Sequence, residues 1–108
     1  MTVQEVLRSG IAAGADRVIA RLALRGLDRV WVHVDLDVLD LASLPAVDSP
    51  GTPGFSYAQL SALLRALLRS GRIAGVDIAI YDPSLDPTRR YARKIVACMA
   101  DVFRPGGI

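Results

Sequence analysis

Three aspartates, Asp35, Asp37 and Asp40, close an apolar run at residues 30–34, and His33 stands two residues ahead of the first. Successive side chains of an extended chain alternate between faces. If residues 34–37 stay extended, His33, Asp35 and Asp37 therefore share one side, and two carboxylates can approach one cation. A hard or borderline divalent ion such as Mn²⁺ or Mg²⁺ suits oxygen ligands. The ordinary alternative stays open, since aspartates after a strand also cap the next element and hold water. His33 is the chain's one histidine and Cys98 its one cysteine. A metal site built within the chain must rest on carboxylates, and neither an internal disulfide nor a cysteine-based zinc cluster can form.

The elements that must position these residues are legible from periodicity. Thr2 and Glu5 form a capping box for a short helix over 3–8, ended by Ser9-Gly10. Ile11, Ala15, Val18, Ile19 and Leu22 recur at helical spacing and predict an amphipathic helix closed by Gly26. Residues 30–34 are β-branched and apolar, as in a buried strand that leads directly into the aspartates. Residues 41–54 hold three prolines and two glycines, which predicts a long ordered loop. Ser56 with Gln59 forms a second capping box, ahead of a leucine stripe at Leu60, Leu63, Leu64, Leu67 and Leu68. Residues 73–80 read as a second buried strand. Asp86-Pro87 offers a cap with proline at the first helical position, and Tyr91, Ile95, Cys98, Met99 and Val102 stripe a last helix. Strand, crossover helix and strand imply parallel pairing and an α/β class.

With 108 residues, the chain fits one unit, given roughly 100 to 200 residues per domain. Its 52% hydrophobic content excludes disorder. No apolar run approaches the ~20 residues of a membrane span, and residues 1–10 lack the apolar centre of a secretion signal, so the expected location is cytoplasmic. The net charge is +2, with basic residues spread over every predicted helix, which argues against nucleic acid as a partner. Two parallel strands are a poor sheet, because such strands normally sit among neighbours with both faces covered. The chain therefore reads as the end of a larger fold that either needs its missing part or self-associates. The leucine stripe and the 73–80 strand are the expected contact surfaces, unless an internal core takes them up.

The segment His33-Val-Asp35-Leu-Asp37-Val-Leu-Asp40, followed by Pro45-Ala46 and Gly54, resembles the C-terminal metal signature of the ureohydrolases, the arginase and agmatinase superfamily. The resemblance continues through Gly54-Phe-Ser-Tyr57, Gly75-Val-Asp77-Ile and Asp82-Pro83, and covers residues 30–103, with 1–29 as a helical lead-in. It implies a three-layer α/β/α arginase-like fold, of which this chain holds the C-terminal β-α-β-α portion. It also implies that Asp35 and Asp37 are ligands of a centre of two Mn²⁺ ions, with the remaining ligands on earlier strands. The implied activity is hydrolysis of a C–N bond in a small guanidino or amidino compound, of arginase, agmatinase or formimidoylglutamase type. Two ions acidify a shared water and offset charge at the attacked carbon. Asp40 then shapes the turn.

The sequence departs from that pattern at three places. His33 stands where serine or threonine is usual, as an extra ligand, a donor behind the ligands or a structural residue. Leu41 replaces a common proline. Ile80 aligns with the glutamate that grips the guanidinium. A hydrocarbon side chain cannot pair with that cation, which argues against arginine or agmatine as substrate.

Two functions of different class follow. The first is part of a manganese-dependent hydrolase, inactive alone because it holds only part of the site. The second is a noncatalytic assembly module derived from the same fold, favoured by Ile80 and by the missing ligands. A deacetylase-type enzyme fits less well. Cys98 on an apolar stripe reads as a buried thiol, not a nucleophile.

Overall fold

The structure is a computed structural model that describes residues 2–39 and 54–105. Asp40, Leu41 and the Pro45-Ala46 pair lie outside the described residues. The element order is α1 (Val3–Ser9), α2 (Ile11–Leu24), β1 (Val30–Asp35), a 3₁₀ turn (Leu36–Val38), α3 (Tyr57–Arg69), β2 (Ile73–Ala79), a second 3₁₀ turn (Pro83–Leu85) and α4 (Arg90–Val102). Both capping boxes form. Thr2 accepts the Glu5 amide at 3.2 Å, and Ser56 accepts the Gln59 amide at 3.2 Å while Gln59 accepts the Ser56 amide at 3.0 Å. Each cap satisfies helix-end donors that have no partner within the helix.

β1 and β2 pair in parallel, as the crossover helix requires, with Val32 opposite Val76, His33 opposite Asp77 and Asp35 opposite Ala79. Alternation then sorts the side chains by face. Val34 enters the core with Leu36, Leu39, Phe55, Leu60, Leu64, Cys98 and Val102, and Val32 and Val76 pack against it. The opposite face carries Trp31 and His33, both exposed. One face is thus covered by helices and the other is open, among the described residues. The leucine stripe goes inward: Leu60, Leu64 and Leu67 are buried, and Leu63 and Leu68 pack against the same core while partly buried.

α1 is held against α2 at one close approach. A Cβ on Gly14 would stand 2.8 Å from Val6 Cγ1, and Val6 is itself in the core. Glycine lets the two helices meet there.

The start of α4 corrects the sequence expectation. The helix begins at Arg90, and its cap is Arg89 in the left-handed region (φ 60) with no capping side chain. Asp86 and Pro87 lie one turn earlier. Asp86 still serves the helix from below, accepting the Tyr91 and Ala92 amides at 3.2 and 2.9 Å and the Tyr81 hydroxyl at 2.6 Å. The three bonds explain how an aspartate only 3% exposed is tolerated. Burial pushes its carboxyl up, but those donors outweigh it and hold the group below its usual range.

Candidate functional site

The carboxyl end of a parallel sheet is where the loops open and ligands collect. Asp35 is the last residue of β1, and it also caps the turn that follows by accepting the Asp37 amide at 3.1 Å. The strand therefore does not stay extended to Asp37. The turn, not strand alternation, brings the two carboxyls together, because a short side chain that bonds its own backbone two residues on closes a tight loop. The two side chains act on each other. Hydrogen bonding with the Asp37 side chain holds Asp35 below the usual carboxylate range against the opposing effect of burial, with help from the Asp37 amide and His33. The same interaction raises Asp37, and burial and the Asp35 charge add to it. Two adjacent carboxylates repel when both are ionised, and a divalent cation between them would relieve that repulsion.

The pair fits part of a manganese shell. It does not fill one: such ions take about six ligands, and the described residues contain no cluster of three or more histidine, cysteine, aspartate or glutamate side chains able to hold a metal. His33 is not brought to the pair as a third ligand. Its Nδ1 lies 2.9 Å from Asp77 Oδ2, and since a carboxylate only accepts, Nδ1–H donates. The Trp31 Nε1–H donates to Asp77 Oδ1 at 2.9 Å. Those two bonds, His33 first, hold Asp77 below the usual range. The sequence offered Asp77 only as a point of family resemblance. Its place opposite His33 depends on strand register, which alternation does not supply.

Ile80 follows Ala79, the residue opposite Asp35, and so stands at the edge of the same site. It is 45% exposed and has φ 67, a left-handed backbone that a β-branched side chain disfavours. The turn below holds it there, with Tyr81 bound to Asp86 and Asp82 accepting the Ser84 amide and hydroxyl. Cys98 is buried, and its Sγ lies 3.6 Å from the Tyr57 carbonyl. Burial, and then the Asp101 charge, push its thiol up, which suits an inert core residue.

Comparison with known proteins identifies the architecture that carries this site. The model of the Arginase family matches residues 1–103. The chain belongs to the arginase family. Among similar proteins, the formimidoylglutamase of Aeromonas hydrophila is 36% identical over 83 residues, which is 77% of this chain and 25% of that protein. That of Paraburkholderia xenovorans is 39% identical over 70 residues, or 65% of this chain and 22% of that protein. The Bacillus caldovelox arginase structure superposes with a TM-score of 0.83 at 30% identity, covering 96% of this chain and 34% of that one. A Trypanosoma cruzi formiminoglutamase with Mn²⁺ shares the fold, with a TM-score of 0.78 at 20% identity over 94% of this chain and 34% of its own. The chain thus spans about a quarter of the curated relatives it matches and about a third of these arginase-family structures. The arginase-like α/β fold is present as a fragment. Among the described residues, no helix is long and apolar enough to cross a membrane.

Proposed function

We propose that this chain is the C-terminal portion of a manganese-dependent arginase-family hydrolase, with Asp35 and Asp37 as two of the metal ligands and the other ligands supplied by the remainder of the fold. The observation that carries this reading is the Asp35–Asp37 pair, brought together by the turn that Asp35 caps at the carboxyl end of a family-matched strand. When bound, the ions would acidify water and offset charge at the attacked carbon. The chain's own residues hold the two carboxyls side by side through the Asp35 cap, and the Tyr81–Asp86 bond fixes the turn beside them. The names of the relatives favour a formimidoyl compound as the substrate class, and Ile80, which presents hydrocarbon, leaves the pairing of its amidinium to groups elsewhere in the fold. The unit is proposed to be a single one, 1–108, working in the cytoplasm.

The test is hydrolysis in the chain with Mn²⁺, alone and co-expressed with the portion of the Aeromonas hydrophila protein that it does not match. The expected result is no release of amine or urea by the chain alone. With the complement, amine is released from a formimidoyl amino acid and no urea from arginine or agmatine, and the activity is lost in Asp37→Ala. Activity of the chain alone that vanishes in Asp37→Ala would show a complete site within 108 residues. A complex without hydrolysis favours the second reading, a noncatalytic assembly module, to which Ile80 is the pointer.

A further inference from the structure

α3 and α4 follow successive strands of a parallel sheet and run side by side in one direction, with Cys98 against the Tyr57 carbonyl and Ser61 and Arg65 against Asp101. Opposite the buried leucines of α3, the two helices frame two shallow hollows of about 300 and 310 Å³ that share Ala58, Ser61 and Asp101 and so form one groove. Its floor is made of small side chains, of which Ala58, Ala62 and Ala97 are exposed. Its rim is cationic, with Lys94 in one hollow and Arg65 and Arg69 in the other. The acid that lines it, Asp101, is already satisfied: it accepts the Ser61 hydroxyl at 2.5 Å and pairs with Arg65 at 3.2 Å and Arg104 at 2.8 Å. Among the described residues, neither Lys94 nor Arg69 has an acidic partner. Cations at both ends of a neutral floor leave a positive potential that an anionic partner complements.

We infer that the groove between α3 and α4 docks an acidic amphipathic helix of a separate protein. Ala58 and Arg69 are eleven residues apart on α3, about 16 Å at 1.5 Å per residue, the length of three turns of a partner helix. The small floor residues let the two backbones come close, and a carboxylate near each end of the partner reaches Lys94 and Arg69. A second copy fits less well, because this chain has no acidic helix to offer. α1 sets Glu5 against Arg8, α2 sets Asp16 against Arg17 and Arg21, α3 has no acid, and α4 sets Asp101 against Arg90, Arg93 and Lys94. The rest of a three-layer fold adds strands at the sheet edges and helices on the open face, which leaves the outer side of α3 and α4 turned outward.

The probe is a stapled, fluorescein-labelled helical peptide of about three turns, with alanine along one face and a glutamate near each end. It is titrated with the full 108-residue chain by fluorescence anisotropy at low salt. The expected result is a Kd on the order of 10⁻⁵–10⁻⁴ M, weakened roughly 10-fold or more in Lys94→Glu, in Arg69→Glu and with glutamine in place of both glutamates. Arg17→Glu changes the net charge by the same amount at an exposed position on α2 and leaves the affinity unchanged. Circular dichroism checks that each variant folds, and a lysine version of the peptide binds the double variant Lys94→Glu/Arg69→Glu, which a merely unfolded groove would not do. No binding, equal binding of the glutamine peptide, or an equal loss in Arg17→Glu overturns the inference, the last by reducing it to general attraction to a basic chain. So does self-association that Lys94→Glu abolishes and the peptide reverses, which assigns the groove to a second copy. Loss of peptide binding in a complex with the unmatched portion of the Aeromonas hydrophila protein overturns it as well, by giving the groove to the rest of the fold.

Discussion

The Asp35 carboxylate accepts the Asp37 amide at 3.1 Å, so the residue offered to a cation is also the cap of the turn that places its neighbour. Proposed ligand and scaffold are one group. Charge and hydrogen bonding at Asp35 can be separated by substitution, because asparagine keeps an acceptor and alanine does not.

Mn²⁺ binding by the isolated chain is expected to be weak, with a Kd on the order of 10⁻⁴ M or higher, since two carboxylates give far fewer ligands than such an ion takes. Calorimetric titration measures it. Asp35→Asn should abolish the binding while keeping the fold. Asp35→Ala should abolish it and also cost about 1 kcal/mol of stability, the usual loss for a removed cap. Micromolar binding to the chain alone would mean that further ligands are present within it.

The Asp86 carboxyl is held low by Tyr81 and the amides at the start of α4, in spite of its burial. Its folded pKa lies below the ordinary value of 3.8, so its contribution is complete above that value and is lost as pH falls through the lower, folded one. Urea denaturation from pH 6 downward should show stability falling below about pH 4, with a shallower fall in Asp86→Asn. Equal acid slopes in the two proteins would show that the ionised form of Asp86 is not what the donors favour.

Ile80 at φ 67 carries a left-handed penalty of about 1–2 kcal/mol that glycine does not. Glycine gives back about 0.5–1 kcal/mol through the freedom of the unfolded chain. Ile80→Gly is therefore expected to raise the thermal midpoint slightly, and Ile80→Val to leave it where it is. A clear drop in the glycine variant would show that the Ile80 side chain stabilises the fold by more than its backbone costs.

Gly75→Ala puts a methyl where the Trp31 ring lies. The indole must lift from the sheet and release Asp77 Oδ1, so acrylamide quenching of Trp31 in the chain alone should rise while the helical circular dichroism stays constant. Unchanged quenching would place the indole elsewhere than over Gly75.

Local pattern was legible where one residue's chemistry decides the outcome. Thr2 with Glu5 and Ser56 with Gln59 announce their helices because each side chain has a fixed reach to an amide three residues on, and the leucine stripe follows from a 3.6-residue period. The Asp35–Asp37 pair was legible as a pair, while the cap on the next element stayed one of two alternatives, since an aspartate can extend a strand or close a loop and only the surrounding packing selects one. Asp86 was legible as a helix-start signal but displaced by a turn, because Arg89 enters the helix from a left-handed conformation that nothing in its side chain requires. The Trp31–Asp77–His33 set was not legible at all, for it joins residues 46 and 44 positions apart through a register set by the crossover.

The contact between Val6 and Gly14 has a consequence for how the chain meets proteases. α1 is seven residues long, too short to persist as a helix by itself, and its one buried side chain is Val6. Seating is therefore nearly all-or-none, and it is governed by the space of a single methyl group on α2. While Val6 is seated, the bonds before Gly10 are helical and resist cleavage. Once it lifts, the core loses Val6 and the segment before Gly10 is left as a tail open to cleavage back to α2.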